Sequence, residues 1–166
     1  MLPDLRKEQQ SSGNRTLFRY SLAAKVFFFS MDLITGKKIT LPKVKLIEIL
    51  ASIPYRSWET RQYARLTQRY REPVLVEEAR KIMKYARESQ DNEYWHLLVV
   101  NEKMKEDGIK DPWYLFPPIP LLMVGFYAAV MQVMASTSIR RAFQFNAEFE
   151  DHAERAYAQF VEEHPE

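Results

Sequence analysis

Glu93 and His96 stand three residues apart in the stretch Asn92-Glu93-Tyr94-Trp95-His96. On a helix that spacing puts a carboxylate and an imidazole on one face, within reach of one metal ion. The competing reading is a core histidine hydrogen-bonded to a neighbour, since E-x-x-H often arises by chance. Glu48 is the only charge between Lys45 and Arg56, inside Leu46-Ile47-Glu48-Ile49-Leu50-Ala51-Ser52-Ile53. A charge in such a run is either a surface residue between two apolar sides or a buried ligand, and an unpaired buried carboxylate is costly. Glu150 lies in the apolar stripe of the last helical segment, and Tyr157, two turns on, projects from the same side. Tyr157 also reads as a core tyrosine with its hydroxyl satisfied. Glu154 reads as solvated, and His152 is undecided.

Brought together, these carboxylates repel. Two of them at ~6 Å cost roughly 3 kcal/mol at an effective dielectric of about 20, which only cations or protons relieve. The chain has no Cys and 3 His, which excludes thiolate zinc, iron–sulfur clusters, disulfides and a thiol nucleophile. Carboxylate and imidazole donors without sulfur suit iron or manganese. Glutamates from two helices and Glu-x-x-His from two more make the ferritin-like di-iron arrangement.

Helices must position these groups. With 166 residues the chain has room for one ordinary domain, and 24 Lys+Arg against 22 Asp+Glu excludes a strongly basic nucleic-acid binder. At 46% hydrophobic residues a packed core is affordable, and 4 Gly with no strand signal points to an all-α fold. Residues 1–16 read as a mobile polar tail. Leu17 to Ile34 is an apolar block carrying Arg19, Lys25 and Asp32. It suits a helix lying on a membrane or a plain core helix, with Phe27, Phe28 and Phe29 fit for acyl chains. A second helix starts near Pro42 and meets Pro54, which should kink or restart it before the arginine-rich stretch Tyr55–Tyr70. Val74 to about Met104 is a long helix whose inward stripe includes Ala79, Ala86, Glu93, His96 and Met104. Asp107–Pro120 is a proline-stiffened loop. Leu121–Ala135 is the most apolar helix, spanning roughly 22 Å against a bilayer core of roughly 30 Å, so it is buried or half-inserted. Ser136-Thr137-Ser138 reads as the N-cap region of a last helix running to Glu162.

The sequence resembles the alternative oxidases, and most closely their plastid terminal oxidase-like and cyanobacterial-type branch. Glu48-Ile49-Leu50-Ala51-Ser52-Ile53-Pro54-Tyr55 is similar to that family's E-T-x-A-x-V-P-Y segment. Asn92 to Leu98 is similar to its N-E-x-x-H-L-L segment, and Phe149 to Tyr157 to its third block. The resemblance implies Glu48, Glu93, His96 and Glu150 as ligands of two non-haem iron ions, with Glu150 bridging. It implies Tyr157 as a redox-relevant tyrosine and Ile47, Phe149 and Ala153 as the lining of a quinol pocket. The family carries a further Glu/Asp-x-x-His helix that this chain, ending at Glu166, does not contain. The expectation is therefore a C-terminally truncated, incomplete ferritin-like bundle over residues 17–166.

The implied activity is a quinol oxidase without proton pumping. It passes electrons from ubiquinol or plastoquinol to dioxygen, giving water, from one leaflet of an inner, cytoplasmic or thylakoid membrane. The basic pair Arg140-Arg141 flanks the apolar helix in keeping with such docking. Whether the chain forms a homodimer is open. Two alternatives stand beside this reading: a di-iron quinone-biosynthesis hydroxylase, and an inactive, truncated helical protein of the membrane surface.

Overall fold

A computed structural model describes residue 11 and residues 19–163. Apart from residue 11, the expected tail lies outside the described residues, as do the start of the first apolar block and the final residues through Glu166. Five α-helices account for the described chain: α1 (Leu22–Thr35), α2 (Leu41–Arg69), α3 (Pro73–Glu106), α4 (Ile119–Thr137) and α5 (Ile139–Glu163), with one 3-10 turn at Trp113–Leu115. No strand occurs among the described residues, so the chain is all-α.

Two compact units emerge, one of residues 41–143 and one joining residues 19–40 to residues 144–163. In the first, α2 and α3 form a long antiparallel hairpin. Its direction is fixed by cross-helix pairs that climb one helix as they descend the other. Arg65 meets Glu78 at 3.6 Å, Arg87 meets Glu59 at 2.7 Å, and His96 meets Glu48 at 3.4 Å. Pro73 opens α3 in its first turn, where a missing N–H costs nothing. Lys103 and Lys105 in its last turn complement the helix dipole. Gly108 then takes a positive φ of 65° to turn the chain out of the helix. The loop that follows is held to α2 by Lys45, whose ammonium donates to both oxygens of Asp111 at 2.9 and 3.0 Å.

Pro54 does not restart the second helix. α2 runs through it without a break over 29 residues. The proline removes one donor to the Leu50 carbonyl. It is fully buried, as are Leu46 and Leu50 before it, so packing on both sides holds the segment helical. Trp58, one turn on, is 2% exposed and meets Phe143 edge-on at 4.4 Å and Tyr55 at 5.0 Å.

α4 is longer than the apolar run alone implied: 19 residues, or about 28 Å. Length and composition alone would allow it to cross a membrane, and only 17% of its most apolar window is buried. One edge, Tyr127, Met131 and Ala135, packs inward, while Leu122, Phe126 and Val133 lie exposed. Ser138 ends it and also caps α5, its Oγ accepting from the Arg141 N–H at 3.4 Å.

In the second unit, α1 packs on the later turns of α5. The three consecutive phenylalanines part company, since each residue turns about 100° around the helix axis. Phe28 stacks on His152 at 3.9 Å, Phe27 meets Phe149 at 5.6 Å, and only Phe29 faces outward. The start of α1 is built from charge: buried Glu148 accepts from the Ser21 N–H at 3.1 Å and from its hydroxyl at 2.6 Å. Tyr20 donates its phenol proton to Asp151 at 2.7 Å.

Candidate metal centre

Glu48 sits about two turns into α2 on the face turned to α3, and Glu93 and His96 sit one turn apart on α3 facing back. One ligand atom from each of the three residues lies within 4.8 Å of the others. The two carboxylates are interior groups, 2% and 8% exposed, whereas the imidazole is 48% exposed and closes the cluster from the outside. His96 Nδ1 lies 3.4 Å from Glu48 Oε2 and 3.6 Å from Glu93 Oε2. The surface reading of Glu48 is thereby set aside, because its helix faces are covered and its carboxylate turns inward.

The electrostatics follow from that packing. Burial pushes the Glu93 carboxyl above the usual carboxylate range, and the nearby Glu48 charge adds to the rise. Hydrogen bonding to Glu48 and then to Glu93 pushes His96 up to about 10. Without a metal, then, the cluster holds an imidazolium between two carboxylates, a proton standing where a cation could. A divalent ion would take the place of that proton, bound by two hard oxygens and one nitrogen. That donor set, without sulfur, fits iron or manganese.

A cavity of about 280 Å³ opens beside the cluster, between α2, α3 and α4. Both carboxylates line it, with Ile49, Ile53, Leu97 and Val124 as its apolar walls.

The remaining expected site residues are distributed as follows. Ile47 is on α2, buried, and is not among the residues lining this cavity. Phe149, Ala153, Glu150 and Tyr157 lie on α5 in the other unit. Phe149 and Ala153 are buried there, while Glu150 and Tyr157 are half-buried. Asn146 donates its amide to Glu150 at 3.5 Å. Glu154, expected to be solvated, is half-buried. The sequence reading missed two fully buried acids on α5, Glu148 and Asp151. They flank Glu150 in sequence, and both serve the start of α1, Glu148 through Ser21 and Asp151 through Tyr20.

Comparisons with known proteins add no relative. No family model, no curated protein and no solved structure matches this chain.

Proposed function

We propose that the chain binds non-haem iron through Glu48, Glu93 and His96 and acts as a quinol:dioxygen oxidoreductase seated on a membrane leaflet, with the ferritin-like di-iron bundle as its framework. The observation that carries this reading is the meeting of two buried carboxylates and one imidazole on facing helices, each within 4.8 Å of the others. Buried like charges are expensive, and a site that keeps them together is suited to a cation. The oxidase assignment itself rests on the three motifs quoted above. The exposed apolar stripe of α4, with Leu122, Phe126 and Val133, supports contact with lipid, where a quinol dissolves.

Bound iron would supply one-electron chemistry toward dioxygen. The chain's own part is more limited and more definite. Glu48 and Glu93 neutralise the cation from the dry side. His96 completes the set only after giving up the proton that it holds at Nδ1. Ile49, Ile53 and Leu97 supply the apolar wall beside the carboxylates.

Purified full-length protein, reconstituted anaerobically with ferrous iron, should retain iron and consume oxygen when given a short-chain ubiquinol or plastoquinol, with cyanide having little effect. Iron bound without quinol-dependent oxygen uptake would leave the metal site and remove the oxidase. Iron that washes out in a desalting step would remove both.

A further inference from the structure

The cavity beside the cluster is polarised along its length. On α2 the lining residues Glu48, Ser52 and Arg56 follow one another at single-turn steps, and eight residues of helix set the first and last about 12 Å apart. Because α3 runs the opposite way, Glu93 falls at the Glu48 end. Gln90 falls toward the Arg56 end, where its amide reaches Glu59 at 3.4 Å. Between the ends the walls are the aliphatic side chains of Ile49, Ile53, Leu97 and Val124.

Arg56 is the only cationic residue in the lining, and it is exposed at the cavity mouth. Arg65, Arg69 and Arg87 are engaged elsewhere, with Gln62 and Glu78, with Glu72 and with Glu59. Arg56 makes no ion pair with any described residue, and its side chain has no hydrogen-bond partner among them. A long side chain on a helix leans toward the helix N-terminus, which for Arg56 is the direction of the cavity. The cavity therefore carries a fork of unshared donors at one end, an apolar middle and a pair of acids at the other.

We propose that this cavity binds a small monocarboxylate with an unbranched apolar body, its head on Arg56 and its tail running between Ile53 and Leu97 toward Glu48 and Glu93. A guanidinium pairs with a carboxylate through two parallel hydrogen bonds. One cation balances one negative charge, and the two acids at the far end reject a second anionic group. The volume of about 280 Å³ lies at the small end of ligand pockets, which limits the tail to a short chain. Ile47, Phe149 and Ala153, which the resemblance assigns to quinol, are not among the residues lining this cavity. The function of the ligand beside a metal rests on the reading above, but its binding does not.

The test uses the full-length, metal-free protein and octanoate, followed by isothermal titration calorimetry. Octanoate should bind at one site per chain. Acetate, which has the head alone, and octanol, which has the tail alone, should each bind at least tenfold more weakly. Arg56→Gln should weaken octanoate at least tenfold, and Leu97→Trp, which fills the cavity, should abolish it. Circular dichroism melting should show both variants folded. Octanol equal to octanoate, or undiminished binding by Arg56→Gln, would overturn the proposal by reducing it to general contact with exposed apolar surface. A protein that binds octanoate but never iron keeps the cavity and loses the metal site. One that binds iron but not octanoate does the reverse.

Discussion

His96 Nδ1 lies 3.4 Å from Glu48 Oε2, across the seam between α2 and α3, so the ring faces a carboxylate that is itself 2% exposed. That one contact ties together the two ways in which the cluster can be neutralised. Either a proton sits on the ring, or a metal ion displaces it.

The competition sets a pH dependence. His96 has an ordinary value near ~6.5 in an unfolded chain, and the two carboxylates raise it to about 10 in the fold. A raised folded-state value means that its stabilisation is complete below about pH 6.5 and is lost as pH rises through about 10. Glu93 shifts upward as well, chiefly through burial, so some stability is also lost as pH rises from its ordinary value through its raised one. The melting temperature of the metal-free protein should therefore fall between about pH 6.5 and 10. Saturating manganese(II) should restore it, with a larger gain at the higher pH, because binding releases a proton. Calorimetric scans across that window with and without the metal test this, and parallel curves would remove the clamped imidazolium.

Glu93→Gln keeps the volume of the side chain and removes its charge. Loss of an outer partner to a metal ligand already costs roughly 10–100-fold in affinity. Loss of a ligand itself should cost at least about 100-fold for ferrous iron or manganese. The same change relieves a desolvated charge beside Glu48, so the metal-free variant should melt at or above the temperature of the parent at pH 8. A variant that loses affinity and stability together would mark Glu93 as a structural group whose metal binding is incidental.

Glu148 makes a different kind of prediction, since its partners lie at the start of α1. Ser21 caps that helix, its Oγ accepting from the Ala24 N–H at 3.3 Å while donating to Glu148. Glu148 is 1% exposed and also takes the Gln144 amide at 3.0 Å. Replacing it by Ala strands the cap in a buried place. The expected cost is about 1.5–3 kcal/mol per charged hydrogen bond lost, read by urea unfolding. Metal affinity should stay within about twofold, because Glu148 is engaged by Ser21 and Gln144 while the cluster is made of Glu48, Glu93 and His96.

Much of the site is legible in the sequence. The 3- and 4-residue steps of α3 placed Glu93 and His96 on its inward stripe, and the apolar surroundings of Glu48 marked it as out of place on a surface. What escaped notice depended on residues remote in sequence. Glu148 and Asp151 look like solvent-facing acids until Ser21 and Tyr20 arrive from more than a hundred residues away to use them. The triple phenylalanine looked like one apolar block because composition ignores direction, whereas a helix sends its members to different neighbours. Pro54 follows the same logic: local chemistry favours a break there, and packing on both sides overrides it.

The apolar stripe of α4 gives the last expectation. Leu122, Phe126 and Val133 recur at helical spacing and are 68%, 75% and 65% exposed. A row of that kind has no protein partner within the described residues, and lipid is the neighbour that matches it. Burying one such side chain in acyl chains is worth roughly 1.5–3 kcal/mol. Phe126→Glu should therefore shift co-sedimentation with phosphatidylcholine–phosphatidylglycerol vesicles at least about tenfold toward the soluble fraction. Because the ring is already in solvent in the free protein, the melting temperature should barely move. A Phe126→Glu protein that still pellets with vesicles would place the lipid contact elsewhere. Loss of binding with a large drop in melting temperature would show instead that Phe126 supports the packing of α4.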